Sequence, residues 1–244
     1  MLVLFTDFGI GSPYVGQMKL AIWQQAPQLP IIDLLHDASP YDSQAAAYLL
    51  AAFTADLPEQ CAVVGVIDPG VGSARDGLII KADERWYVGP DNGLFDRIAA
   101  QAEQLQCWRL TWQPERLSAS FHGRDIFAPV AACLVTGKSQ PEQLGEGIEY
   151  RWQNWPEQLA RIIYIDTYGN AMTGLQACNL SDSACLQTGQ HKLIHARTFA
   201  AVPCGQAFWY ENSSGLVEIA INQGRADQQL GLQVGSTVTV LLEQ

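Results

Sequence analysis

The chain has 244 residues, enough for one large domain or two modest ones around a sizeable core. With 14 Lys and Arg against 25 Asp and Glu its net charge is −11, which argues against non-specific nucleic-acid binding, whose affinity comes from neutralising phosphates. There is no basic leader before MLVLFTDF and no apolar run long enough to span a bilayer, so a cytoplasmic protein with no membrane partner is expected.

The first 137 residues alternate strand-like and helix-like segments. MLVLFT is a continuous apolar run, as expected of a strand buried on both faces. YVGQMKLAIWQQ then places Val15, Met18 and Ile22 near helical spacing, and IIDLL reads as the next strand. Ser39 offers an N-cap with Pro40 at the first helical position and Asp42 at the third, which predicts a helix through Phe53. CAVVGVI, LIIKA and RWYVG read as strands, and LFDRIAAQ as a short helix. GRDIFAPVAACLVTG predicts another helix, with Pro129 at a kink or a start. Alternation of this kind predicts an α/β domain with a mainly parallel sheet.

The stretch SQPEQLGEGIEYRWQNWPEQLA holds prolines, glycines and glutamates without a period and reads as a connection. Beyond it RIIYID, KLIHARTF, GLVEIAIN and TVTVLL are short strands between Gly, Asn, Ser and Asp clusters, the pattern of a small all-β, barrel-like domain. Two domains are expected, 1–150 and 151–244. The six cysteines form no C-x-x-C pair, which suits reduced structural thiols. His191 and His195 form the one close histidine pair, but along a strand they stand too far apart to share an ion, and no metal is expected.

Ligands of open α/β sheets bind beyond the carboxyl ends of the strands. Four polar clusters fall at such places: Asp7 in TDFG, Asp68 to Arg75 in DPGVGSAR, PDNG at 90–93 and His122 in FHGRD. Singly, each has a bland alternative, since Asp7 could cap a helix and PDNG is a good turn sequence. Together they predict a polar cleft. DPGVGSAR is not a phosphate loop of a known kind. It lacks the lysine of G-x-x-x-x-G-K-[ST] and the third glycine of G-x-G-x-x-G, and Asp7 and Asp68 would repel a phosphate.

TDFG, DPGVGS with Arg75, PDNG, FHGRDIFAP, DTYGN at 166–170 and NSSG at 212–215, in this order, resemble the S-adenosylmethionine hydroxide adenosyltransferases, relatives of the fluorinases and chlorinases. The resemblance implies an α/β domain followed by a β-barrel. It also implies a homotrimer whose substrate sits between the first domain of one subunit and the second domain of its neighbour. The implied reaction is attack of water or hydroxide on ribose C5′ of S-adenosyl-L-methionine, releasing adenosine and methionine. A sulfonium brings its own leaving group, so no cofactor, metal or covalent nucleophile is needed; an oriented water and a path for one proton suffice.

Asp68, Arg75 and His122 match the family's triad. On this resemblance Asp68 accepts from the water and Arg75 keeps Asp68 ionised and in place. Asp7 matches the residue that accepts from both ribose hydroxyls, and Tyr41 an aromatic flanking the ribose. Tyr168 and Asn170 match adenine-pocket positions. Asp166 and Ser213 match groups that hold the methionine ammonium and carboxylate, with Glu218 a further candidate at that end. The chain departs from many relatives at Ser12, where they carry an acid, and Ser214 stands where halogenases carry an arginine. Halogenation, or mere binding of adenosine or S-adenosylmethionine, is the alternative. Gly123 and the charge of Asp68 suit a halide poorly, and binding alone needs no Asp–Arg–His cluster.

Overall fold

The protein was analysed as a computed structural model, which describes residues 1–241. Seven strands form the first sheet: β1 (Leu2–Thr6), β2 (Ile31–Leu35), β3 (Ala62–Val66), β4 (Gly77–Ala82), β5 (Arg85–Pro90), β6 (Leu105–Leu110) and β7 (Gly145–Ile148). Their order is β2-β1-β3-β5-β4-β6-β7. Strands β2, β1, β3 and β5 pair in parallel, and β4, β6 and β7 extend the sheet by antiparallel pairing. Strands β2, β1, β3, β5 and β6 thus run one way and β4 and β7 the other, so the sheet is mostly parallel.

The apolar runs LVLFT and AVVGV become the two fully buried strands β1 and β3, because helices cover both faces there. On one face Leu2, Leu4, Ala62, Val64 and Val66 pack with Met18 and Ile22 of α1 (Pro13–Gln25) and with the helical segment around Phe127. On the other face Phe95 fills the space above Gly65 and Gly89. A Cβ on Gly89 would lie 2.2 Å from the Gly65 carbonyl oxygen, so β3 and β5 approach as only glycine allows.

Helix α2 spans Ser43–Thr54 and starts later than the sequence suggests. Ser39 does not cap it. Tyr41 sits at φ +65°, which no helical residue adopts, and the Asp42 carboxylate instead accepts from the Ala45 N–H at 2.9 Å. After α3 (Asp96–Gln101), Gly123–Phe127 form a π-turn that runs directly into α4 (Ala128–Val135). Pro129 therefore lies in the first turn of α4, at its junction with the π-turn. Strand β7 falls inside the stretch expected to be a mere connection. Its glycines hid it, yet Gly145 must lack a side chain, since a Cβ there would lie 2.5 Å from the Arg109 carbonyl oxygen.

The first compact unit runs from Met1 to Trp155 and the second begins at Pro156. The second holds β8 (Leu159–Ile165), β9 (Ala171–Gln176), β10 (Cys185–Thr188), β11 (His191–Leu193), β12 (Ala207–Glu211), β13 (Leu216–Ile221) and β14 (Thr239–Leu241). They form a four-stranded sheet, β12-β13-β9-β8, and a three-stranded one, β11-β10-β14, all antiparallel. Two single bridges, Arg161 to Thr237 and His195 to Trp209, join the sheets at both margins and close them into a barrel. KLIHARTF is strand only at Lys192 and Leu193, the end of β11. His195 makes its one bridge, and Phe199 opens a short 3₁₀ turn. Among the described residues no helix is long and apolar enough to cross a membrane.

Candidate active site

Asp7 follows the last residue of β1, Asp68 stands two residues beyond β3, and His122 precedes the π-turn. With Phe8, Tyr14, Pro40, Tyr41, Val66 and Phe121 they line a cavity of about 440 Å³. The parallel strands thus deliver their carboxylates to one place, as open α/β sheets do.

Behind the cavity wall Arg75 makes a two-pronged contact with Asp68. Its Nε donates to Oδ1 at 2.9 Å and its Nη2 to Oδ2. The Asp68 side chain is only 5 % exposed, and the guanidinium stacks over the Phe127 ring with its carbon 5.2 Å from the centroid. Such a pair fixes a carboxylate in orientation as well as in charge. The same Nη2 lies 3.0 Å from Nδ1 of His122. A guanidinium can only donate, so Nδ1 is the acceptor and the imidazole proton sits on Nε2. Burial, and then the Arg75 charge, push the His122 pKa below its ordinary value, which keeps the ring neutral. Gly72, at φ +76°, lets the loop pack against the segment that leads to His122. A Cβ there would lie 2.5 Å from the Ala119 carbonyl oxygen.

Asp7 is held in another way. Its Oδ2 accepts from the Tyr41 N–H at 3.2 Å, and Tyr41 adopts its strained positive φ while its side chain stays largely exposed. Burial raises the Asp7 pKa, the Tyr41 N–H opposes the rise, and repulsion from Asp68 adds to it. Ser12 caps α1, accepting from the Tyr14 N–H, and a Cβ on Gly123 would make only ordinary contacts.

In the second unit the β8–β9 turn carries Asp166, Tyr168 and Asn170. Asp166 accepts from the Asn170 backbone N–H at 2.8 Å and from its Nδ2 at 3.0 Å, while Tyr168, 76 % exposed, stands at the tip. Gly169 needs its φ of +85° and its missing side chain, because Asp227 lies against it. Ser213 is exposed in the β12–β13 turn. Glu218 is 2 % exposed and accepts from the Tyr210 hydroxyl at 2.7 Å and from Asn212 Nδ2 at 2.8 Å. Burial is the main cause that raises its pKa, the two hydrogen bonds oppose the rise, and Asp166 adds to it. Among the described residues no group of three or more His, Cys, Asp or Glu is arranged to hold a metal ion.

Phe8, Tyr14 and Phe121 pack edge to face in a mutual triangle, with centroids 5.4 to 5.8 Å apart, and form an aromatic wall of the cavity. The sequence gives two of them away only as neighbours, Phe8 beside Asp7 and Phe121 beside His122. Tyr14, in the first turn of α1, carries no such signal.

Two family models cover most of the chain: the SAM hydroxide adenosyltransferase N-terminal domain over residues 2–145 and the C-terminal domain over 160–239. The chain belongs to the SAM hydroxide adenosyltransferase family. A family relative, the (R)-S-adenosyl-L-methionine hydrolase of Thermus thermophilus, is 36 % identical over 97 % of each chain. A crystal structure of an uncharacterized conserved protein from Thermotoga maritima superposes with a TM-score of 0.88 at 29 % identity, covering 99 % of this chain and 100 % of that one. The fluorinase of an Actinoplanes species is a distant family relative, 20 % identical over 98 % of this chain and 97 % of its own.

Proposed function

We propose that the protein hydrolyses S-adenosyl-L-methionine, in the (R)-sulfonium form named for its relatives, to adenosine and L-methionine. Water oxygen bonds to ribose C5′ as the C5′–S bond breaks. The bonding pair leaves with sulfur as the neutral thioether of methionine, and the water proton passes by way of Asp68 to solvent. The observation that carries this reading is the hydrogen-bonded chain Asp68–Arg75–His122 at the wall of a cavity that also holds Asp7.

Each group has a task that its setting suits. Arg75 holds Asp68 so that its free lone pairs receive the water O–H. His122, protonated at Nε2, donates to the water oxygen and aims its lone pair, and it does not act as the base. Asp7 takes the ribose hydroxyls, beside Tyr41, and the aromatic wall excludes bulk water from the reacting carbon. Asp166, Tyr168, Asn170 and Ser213 hold the adenine and amino-acid ends. Glu218, covered and already bonded, acts on that end through Tyr210 and Asn212.

These two groups of residues lie in different compact units, and we infer that a homotrimer completes each site with the second unit of a neighbouring subunit. Six free cysteines fit a reducing, cytoplasmic setting. The experiment is incubation with each sulfonium epimer, with and without chelator, followed by chromatography. Adenosine and methionine should appear from the (R) epimer, undiminished by chelator. Unchanged substrate would favour a binding protein, and activity that requires halide would favour a halogenase.

A further inference from the structure

The turn Pro90–Gly93 takes no part in the chemistry above, yet it holds both ends of the loop that does. Asn92 Nδ2 donates to the carbonyl oxygen of Ile67, the residue before Asp68, at 2.8 Å. The N–H of Asp91 donates to the carbonyl oxygen of Asp76, the residue after Arg75, at 2.9 Å. That same oxygen accepts from Arg75 Nη1 at 3.3 Å. Between these ties the loop is open. Pro69, Gly72, Ser73 and Ala74 are exposed, and apart from the Arg75 contact with His122 its own bonds, such as Ser73 Oγ to the Gly70 carbonyl at 2.6 Å, stay local.

We propose that Asn92 is a positioning residue for the hydrolytic reaction, setting Asp68 in register against Arg75 by gripping the peptide that precedes it. The proposal rests on the reading of Asp68 as the group that orients the water. The amide is suited to the place, since one end donates to Ile67 while its Oδ1 accepts from the Leu94 N–H at 3.3 Å. An aspartate could keep the second bond but not the first, and would set a carboxylate against the Ile67 carbonyl. The Asn92 carbonyl also accepts from Ser43 Oγ at 3.4 Å, which ties the turn to the start of α2.

The test is a double-mutant cycle of Asn92→Asp and Asp68→Asn, read as kcat and KM with S-adenosyl-L-methionine, melting temperatures being followed in parallel. Asn92→Asp should lower kcat about 10- to 100-fold, as a misplaced catalytic group does, with KM changed less than about 3-fold. In the Asp68→Asn background the same change should cost no more than about 2-fold, because its target is already gone. Equal losses in both backgrounds, or an unchanged kcat beside an impaired Asp68→Asn, would overturn the positioning role alone. A normal kcat in Asp68→Asn would overturn the reading of Asp68, and this inference with it. Should Asn92→Asp not fold, Asn92→Ala removes the donor without adding charge and is read by the same outcomes.

Discussion

Asp7 and Asp68 are carboxylates at the ends of adjacent strands, and their partners give them different work. Asp68 is locked by a guanidinium, while Asp7 takes one backbone N–H and turns its remaining lone pairs to the cavity. Asp68→Asn should therefore lower kcat by roughly 10²- to 10⁴-fold with a small change in KM. Asp7→Ala should raise KM first, through lost ribose contacts, in the same steady-state assay. His122 should set the acid limb of the pH profile. Its charged form is disfavoured by burial and by Arg75, so it stays neutral to a pH below the ordinary 6.5. Protonation would place a second cation against Arg75 and remove the acceptor at Nδ1. Activity should thus fall as pH drops through a midpoint below 6.5, and His122→Asn, which keeps an acceptor near the Nδ1 position, should lose that limb. A limb unchanged in the variant would show that another group controls it. The folded chain resists a proton that the unfolded chain accepts, so stability too is lost as pH falls through that window.

The elements that carry the site owe their shape to a few local features. Strands β1 and β3 were legible because continuous apolar runs have few other uses, and the polar residues closing them, Asp7 and Asp68, mark where buried strand meets solvent. Tyr41 at positive φ was not legible, because nothing in its type foretells it; the cost is met by neighbours that the sequence does not bring together. Strands β9, β10 and β12 escaped for a related reason, each being specified by its partners across the barrel. Asn212 Oδ1 accepts from the N–H of Ser214 and of Leu216, each at 3.0 Å, and Glu218 holds that amide from below. Glu218→Ala would strip the acceptor from two part-buried or buried donors and should cost about 2–4 kcal/mol in denaturant melts. Glu218→Gln keeps the shape and the bond from Asn212, while its Nε2 would donate to the Tyr210 oxygen in place of the bond that hydroxyl gave. The wild-type carboxyl holds its proton more tightly when folded, so relative to this variant it should lose stability as pH rises from 4.5 through the raised native value. Parallel stability curves for the two proteins would contradict that.

For the whole molecule the issue is why chemistry-bearing residues are shared between two units. The α/β unit supplies the groups proposed to touch ribose and water, and the barrel those proposed to touch adenine and methionine. If a trimer completes the site, activity should follow the trimer. Light scattering should find the active species at three times the monomer mass, and a fully active monomer at assay concentration would contradict it. The bond on which the proposed reaction turns is that from water oxygen to ribose C5′. Its most direct test is hydrolysis of S-adenosyl-L-methionine in water enriched in heavy oxygen, with mass spectrometry of both products. The label should appear in the 5′-hydroxyl of adenosine, and methionine should leave unlabelled. Label in the amino-acid product, or a nucleoside that keeps its sulfur, would place the attack elsewhere and contradict the account.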